Sequence, residues 1–123
     1  MEPIMFGFEQ LDVWQKSIEY ADDVYRVTRA FPADERFGLT NQLRRASVSV
    51  SSNIAEGSGR GSNPDFNRFL EIAYGSLMET VSQSTVAKRQ QFCNDDDFQK
   101  LYGDAERIAR MLSGLRNSLK PGR

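Results

Sequence analysis

The residues best suited to chemistry in this 123-residue chain are a glycine-rich stretch, a set of arginines, a run of aspartates and a row of serines. "NIAEGSGRGSN", Asn53 to Asn63, puts Gly57, Gly59 and Gly61 around Arg60 between two patterned segments. Backbone N–H groups released by glycine at the mouth of a helix can cradle a phosphate. The nucleotide-binding versions follow a strand and carry Gly-Lys-Ser/Thr or Gly-x-Gly-x-x-Gly, and neither spelling occurs here. The glycines read first as a helix C-cap and turn, with an anion on Arg60 as the second reading. Asp95, Asp96 and Asp97 lack the alternating ligands and distant glutamate of a calcium loop, and read as a helix cap. The serines of "ASVSVSSN" fall on successive helix faces and suit close packing better than attack on a substrate.

The chain has no histidine, which removes the usual general base, the common zinc ligand and both the Ser-His and Cys-His pairs. The inward-facing Glu-x-x-His pairs of di-iron bundles are excluded for the same reason. The expectation is a non-enzyme without metal or cofactor. Arg44, Arg45 and Arg68 read first as bridges to carboxylates, with Glu56, Glu71 and Glu79 as available partners, and second as sites for an anion or nucleic acid. Arg60 and the basic C-terminal residues, Arg116 and Lys120 among them, remain candidates for an anion or nucleic acid. Charge is balanced in total but not in place: Met1 to Glu35 holds eight acids against three bases, and Arg107 to Arg123 holds five bases and no acid. The acidic balance argues against nucleic acid as the main partner. The single cysteine, Cys93, excludes an internal disulfide and suits the reducing cytoplasm. No apolar run is long enough to enter a membrane.

These side chains are positioned by four stripes at helical spacing. Leu11, Trp14, Ile18, Ala21, Tyr25 and Thr28 alternate by three and four, as do Leu39, Leu43, Ala46 and Val50, with Ile54 closing the second series. Phe66, Leu70, Ala73 and Leu77 follow behind Ser62, Asn63 and Pro64, which suit a helix start. Phe98, Leu101, Ala105, Ile108, Leu112, Leu115 and Leu119 form the fourth. No strand pattern occurs. The expected elements are helices over about 9–30, 37–56, 63–92 and 96–119 in one domain of residues 1–123. Helices of about 30 to 43 Å joined by short loops imply an antiparallel up-down-up-down four-helix bundle. Helix one carries a second stripe, Val13, Tyr20, Val24 and Val27, extended by Phe31. Together with Tyr74 and Gly75 it reads as a surface for another copy of the chain, giving a homo-oligomer.

The segments "FEQLDVW", "LTNQLRRASVSVSSNIAEGSGR" and "FNRFLEIAYGSLMET" resemble the four-helix bundle proteins found as open reading frames in intervening sequences of bacterial 23S rRNA genes. The most specific part is the Arg-Arg-Ala-x-x-Ser to Asn-Ile-Ala-Glu-Gly to Arg run followed by Phe-x-x-Phe-Leu-x-x-Ala-x-Gly-Ser. The resemblance implies an antiparallel bundle assembled as a homopentameric ring and implies no enzyme. A retroelement accessory protein similar in fold binds a reverse transcriptase and nucleic acid. The expected function is therefore an interaction or scaffold protein with a protein or RNA partner, the alternative being an RNA-binding accessory that uses a basic surface. The motif falls on Arg44, Arg45, Asn53, Glu56, Gly57, Arg60, Phe69 and Gly75. Asn53 is expected to fix register on the helix-two seam, and Gly75 to admit a neighbouring backbone.

Overall fold

The computed structural model describes residues 6–121, and among these the chain is all-helical, with no strand. A 3-10 turn over Gly7–Gln10 precedes α1, Asp12–Thr28. The turn packs Phe8 edge-on against Trp14, with ring centroids 5.0 Å apart, and for that reason α1 begins at Asp12 rather than at residue 9. A second 3-10 turn, Ala33–Glu35, leads to α2, Leu39–Ser58. Here Glu35 Oε1 accepts from the Leu39 N–H at 3.1 Å, satisfying a donor that no α2 side chain caps. Helix α3, Asn63–Arg89, is capped by Ser62, whose Oγ accepts from Asp65 N–H at 3.3 Å. Asn94 does the same for α4, Asp95–Ser118, accepting from Asp97 N–H at 2.7 Å beside three aspartates that favour the positive end of the helix.

Helix α3 stops at Arg89. Gln91 takes a φ of 64°, and the Phe92 N–H reaches back to the Ala87 carbonyl at 2.8 Å while the Gln91 N–H bonds that of Lys88 at 3.0 Å. This is a Schellman ending built without glycine, and Phe92 completes it by packing on Phe31, 5.8 Å between centroids.

Each helix packs on two neighbours: α1 on α2 and α4, and α3 on α2 and α4, with α2 against α3 the most extensive pair. The core is Leu43, Val50 and Ile54 from α2, Leu70, Ala73 and Leu77 from α3, and Leu101, Ala105, Ile108 and Leu112 from α4, all nearly or fully sealed from water. Three of the four stripes seen in the sequence are therefore the inward faces of their helices.

The first helix differs. Its inward face is Val13, Ser17, Tyr20, Val24 and Val27, continued by Phe31 beyond the helix end, all at 8% exposure or less. The reading of Val13, Tyr20, Val24, Val27 and Phe31 as a subunit contact is corrected, because these side chains are already covered within one chain. The stripe expected to face the core is partly outside, with Ile18 and Tyr25 exposed. The physical reason is Ser17. Its hydroxyl donates to the Val13 carbonyl at 2.7 Å, so a polar residue sits fully buried at no hydrogen-bond cost and completes a seam that looks interrupted by residue type.

Tyr20 spans the core. Its hydroxyl lies 2.8 Å from Thr80 Oγ1, and Thr80 in turn donates to the Leu77 carbonyl, linking α1 to the diagonally placed α3. Burial pushes the Tyr20 phenol up to about 12, the Thr80 hydrogen bond opposing and the Asp104 carboxylate adding to the rise.

Two expectations follow from these contacts. The unfolded phenol ionises near pH 10, so stability held by neutral Tyr20 is fully present below that pH and falls by about 3 kcal/mol as pH rises toward 12. In Tyr20→Phe, denaturation across this range loses that component of the pH dependence; an unchanged slope would contradict the burial of the hydroxyl. Gln91→Gly relieves a left-handed backbone position and raises stability by about 1 kcal/mol in urea denaturation.

Candidate functional site

The connection from α2 to α3 gathers much of the glycine-rich stretch. Helix α2 continues through Gly57 and Ser58, so the first glycine is a buried helix residue rather than part of an open loop. A Cβ on Gly57 would stand 2.7 Å from Phe69 Cβ and 2.9 Å from Phe66 Cδ1, which shows how closely α3 is seated there. The Arg60 and Arg68 guanidiniums both lie over the Phe69 ring, 4.6 and 4.7 Å from its centroid. Arg60 pairs with Glu56 at 3.2 Å and Asp65 at 3.9 Å, and Arg68 with Asp65 at 2.9 Å. The charge that sequence reading offered to an anion at Arg60 is thus directed to two carboxylates and an aromatic face.

Arg116 is similarly engaged, donating to Asn67 Oδ1 at 3.2 Å and Glu71 Oε1 at 2.9 Å, while Arg107 pairs with Asp104 at 3.0 Å. Lys120 is exposed and forms no ion pair among the described residues. It lines a shallow depression with Ser113, Gly114, Arg116 and Asn117.

Arg44 and Arg45 part company. Arg44 is half-buried, its Nε donating to Thr28 Oγ1 at 2.8 Å and its guanidinium resting 4.6 Å from the Tyr25 ring centroid. Arg45 is exposed, and neither residue meets a carboxylate among the described residues. Sequence reading missed two residues beside Arg44, Arg29 and Arg36, which likewise form no ion pair among the described residues. The signal was present in "RAFPADERFG", where arginines flank a proline turn at the mouth of a helix with no acid in its first turn.

Two further positions are resolved by geometry. Asn53 is half-buried and turns its amide to its own helix, donating to the Ser49 carbonyl at 2.8 Å and Ser49 Oγ at 3.0 Å, with Ser49 Oγ 2.9 Å from Ser76 Oγ on α3. It therefore braces the α2–α3 seam through Ser49 rather than occupying the core. Gly75 is exposed, with nothing within 4 Å of where a Cβ would stand, so no backbone within the chain approaches it. Tyr74 is half-buried and lines an apolar groove of about 320 Å3 between α3 and α4, together with Met78, Val81, Tyr102, Ala105 and Ala109. Ile72, Met78, Val86 and Tyr102 are exposed on these two helices at 40 to 48%.

No group of three or more acidic, cysteine or histidine side chains among the described residues is placed to hold a metal ion. No helix among them is long and apolar enough to cross a membrane. Cys93 is a free, half-buried thiol, held above its ordinary range by burial and by Asp97, with Lys88 opposing.

The family described as 23S rRNA-intervening sequence protein matches residues 9–114. The chain belongs to that family. No curated protein matches it. A solved structure from the S23 ribosomal protein family of Bacteroides thetaiotaomicron VPI-5482, itself described as a protein with unknown function, is similar with a TM-score of 0.79 and 23% identity. The similarity covers 85% of this chain and 95% of that one, and at this identity it speaks for the fold. Within this family member, four of the eight motif residues, Glu56, Gly57, Arg60 and Phe69, converge on the α2–α3 connection. The motif's densest part is thus a packing clamp.

The clamp gives a direct expectation. Gly57→Ala puts a methyl group against the backbone-anchored Cβ of Phe69, and overpacking of about 1 to 3 kcal/mol outweighs the gain of up to ~1 kcal/mol in helix propensity. Thermal denaturation reads this as a lowered midpoint; a raised one would show that α3 yields freely.

Proposed function

We propose that this family member is a non-enzymatic scaffold: an antiparallel up-down-up-down four-helix bundle whose copies close into a ring, five in number by the family resemblance. The antiparallel course is supported by side-chain pairings that run in opposite senses. On α1 and α4, Asp23 meets Lys100 and Arg26 meets Asp97. On α3 and α4, Glu71 meets Arg116 and Lys88 meets Asp95. On α2 and α3, Ser49 meets Ser76, and Gly57 meets Phe66 and Phe69.

The observation that carries self-association is the exposed apolar surface of α3 and α4. Met78 and Tyr102 flank a groove floored by alanine and valine, and Gly75 leaves room for a second backbone to come close. Glu106 and Arg110, on its lining, supply opposite charges that suit an identical partner better than a strongly charged one. The subunit contact is therefore assigned to Tyr74, Gly75 and their neighbours. A cytoplasmic setting accords with the lone free thiol. RNA binding through the C-terminal basic segment is less well supported, since Arg107 and Arg116 pair with Asp104 and Glu71.

Light scattering on the purified protein tests this reading. The expected mass is a multiple of 14.0 kDa, about fivefold for the ring. Met78→Glu lowers it toward the single-chain value while circular dichroism remains helical. A wild-type particle of single-chain mass at micromolar concentration would overturn the proposal.

A further inference from the structure

The corner where α1 hands the chain to α2 holds an open depression of about 310 Å3, distinct from the α3–α4 groove. Phe31, Pro32 and Ala33 give it an apolar floor, and Arg29, Arg36 and Arg44 supply three guanidiniums to its lining. None of the three meets a carboxylate among the described residues, in a protein where Arg26, Arg60, Arg68, Arg107 and Arg116 all do. The two acids of the same loop form no ion pair with them: Glu35 accepts from the Leu39 N–H, and Asp34 is exposed. Three like charges held around one depression repel one another, and a bound anion removes that repulsion.

A second observation points the same way. Thr40 lines this depression, is only 7% exposed, and its hydroxyl has no hydrogen-bond partner among the described residues. Its hydroxyl is not among the polar atoms sealed from water, so it is open to donate to a ligand at this corner. Thr40 also stands in the first turn of α2, where free backbone N–H groups and the helix dipole favour negative charge. Beside Arg36, 5.7 Å from its guanidinium carbon, the Phe37 ring is 87% exposed and presents a flat apolar face.

We infer that this corner binds a phosphomonoester of a planar heterocycle, that is, a nucleoside monophosphate. The phosphoryl group sits among Arg29, Arg36 and Arg44 and accepts from the Thr40 hydroxyl, and the base stacks on Phe37. Guanidinium forks match phosphoryl oxygens in geometry as well as charge, and an aromatic face accepts a base with little sequence preference.

Calorimetric titration of the full chain with AMP tests this, using adenosine, inorganic phosphate and an oligouridylate as comparison probes. AMP binds and adenosine does not. The exposed-site variant Arg29→Gln/Arg36→Gln weakens AMP roughly tenfold or more, as expected for lost hydrogen bonds to a charged group. Thr40→Val, which removes little more than the hydroxyl, weakens it several-fold, and Arg116→Gln, at the far end of the molecule, leaves it unchanged. Phe37→Ala weakens AMP without altering the affinity for inorganic phosphate. Absence of AMP binding at millimolar concentration overturns the inference. So does full affinity in the double arginine variant, or binding of the oligonucleotide alone, which would make the corner a nucleic-acid surface. The particle mass of the same samples reports separately on the ring, so either idea can fail without the other.

Discussion

The contact on which the rest of the molecule depends is the approach of α2 to α3 at Gly57. Where a side chain is absent, Phe66 and Phe69 come within 3 Å of the position a Cβ would take, and two helices of 20 and 27 residues settle against each other along the largest interface in the chain. Such closeness is available only to glycine and small residues, and the seam continues with Ser49 against Ser76. Once α2 and α3 are joined in this way, α1 and α4 have two flanks to close, and each packs on the one beside it and on the other.

Close packing of this sort places hydroxyls inside. Ser17, Thr28, Ser47, Ser51 and Thr80 are buried, and each donates to a carbonyl three or four residues earlier in its own helix. They cost little to bury because the helix itself supplies their partner. Tyr20 adds the one long reach, carrying a polar contact from α1 across to Thr80 on α3 through an otherwise apolar centre. A hydrogen bond in that setting is worth more than its surface equivalent, because neither hydroxyl has water as an alternative.

The arginines divide by what surrounds them rather than by number. Arg60 and Arg68 at the α2–α3 connection and Arg107 and Arg116 on α4 lie beside carboxylates that the helical repeat or a neighbouring helix provides, and their charge is spent on the fold. Arg29, Arg36 and Arg44 at the α1–α2 corner form no ion pair among the described residues, although Asp34 and Glu35 share their loop. A protein with nearly equal acids and bases and a net charge of −1 thereby groups three arginines at one corner.

The heptad spacing of leucine, isoleucine, valine and alanine in α2, α3 and α4 was enough to mark their buried faces, because burial there is decided by residue type at helical intervals. The caps at Ser62 and Asn94 were legible for the same local reason. Helix α1 was not, since two stripes competed and the true one runs through Ser17, whose suitability for the core depends on a hydrogen bond invisible in the letters. Nor did the sequence tell spent arginines from free ones, or place Gly57 inside a helix while leaving Gly75 bare on the surface. Sequence alone determined four helices and most of their inner faces, because periodicity is a property of one chain segment. Which of two apolar stripes is covered, and which charges find a partner, belong to distances between segments, and these only the tertiary structure decided.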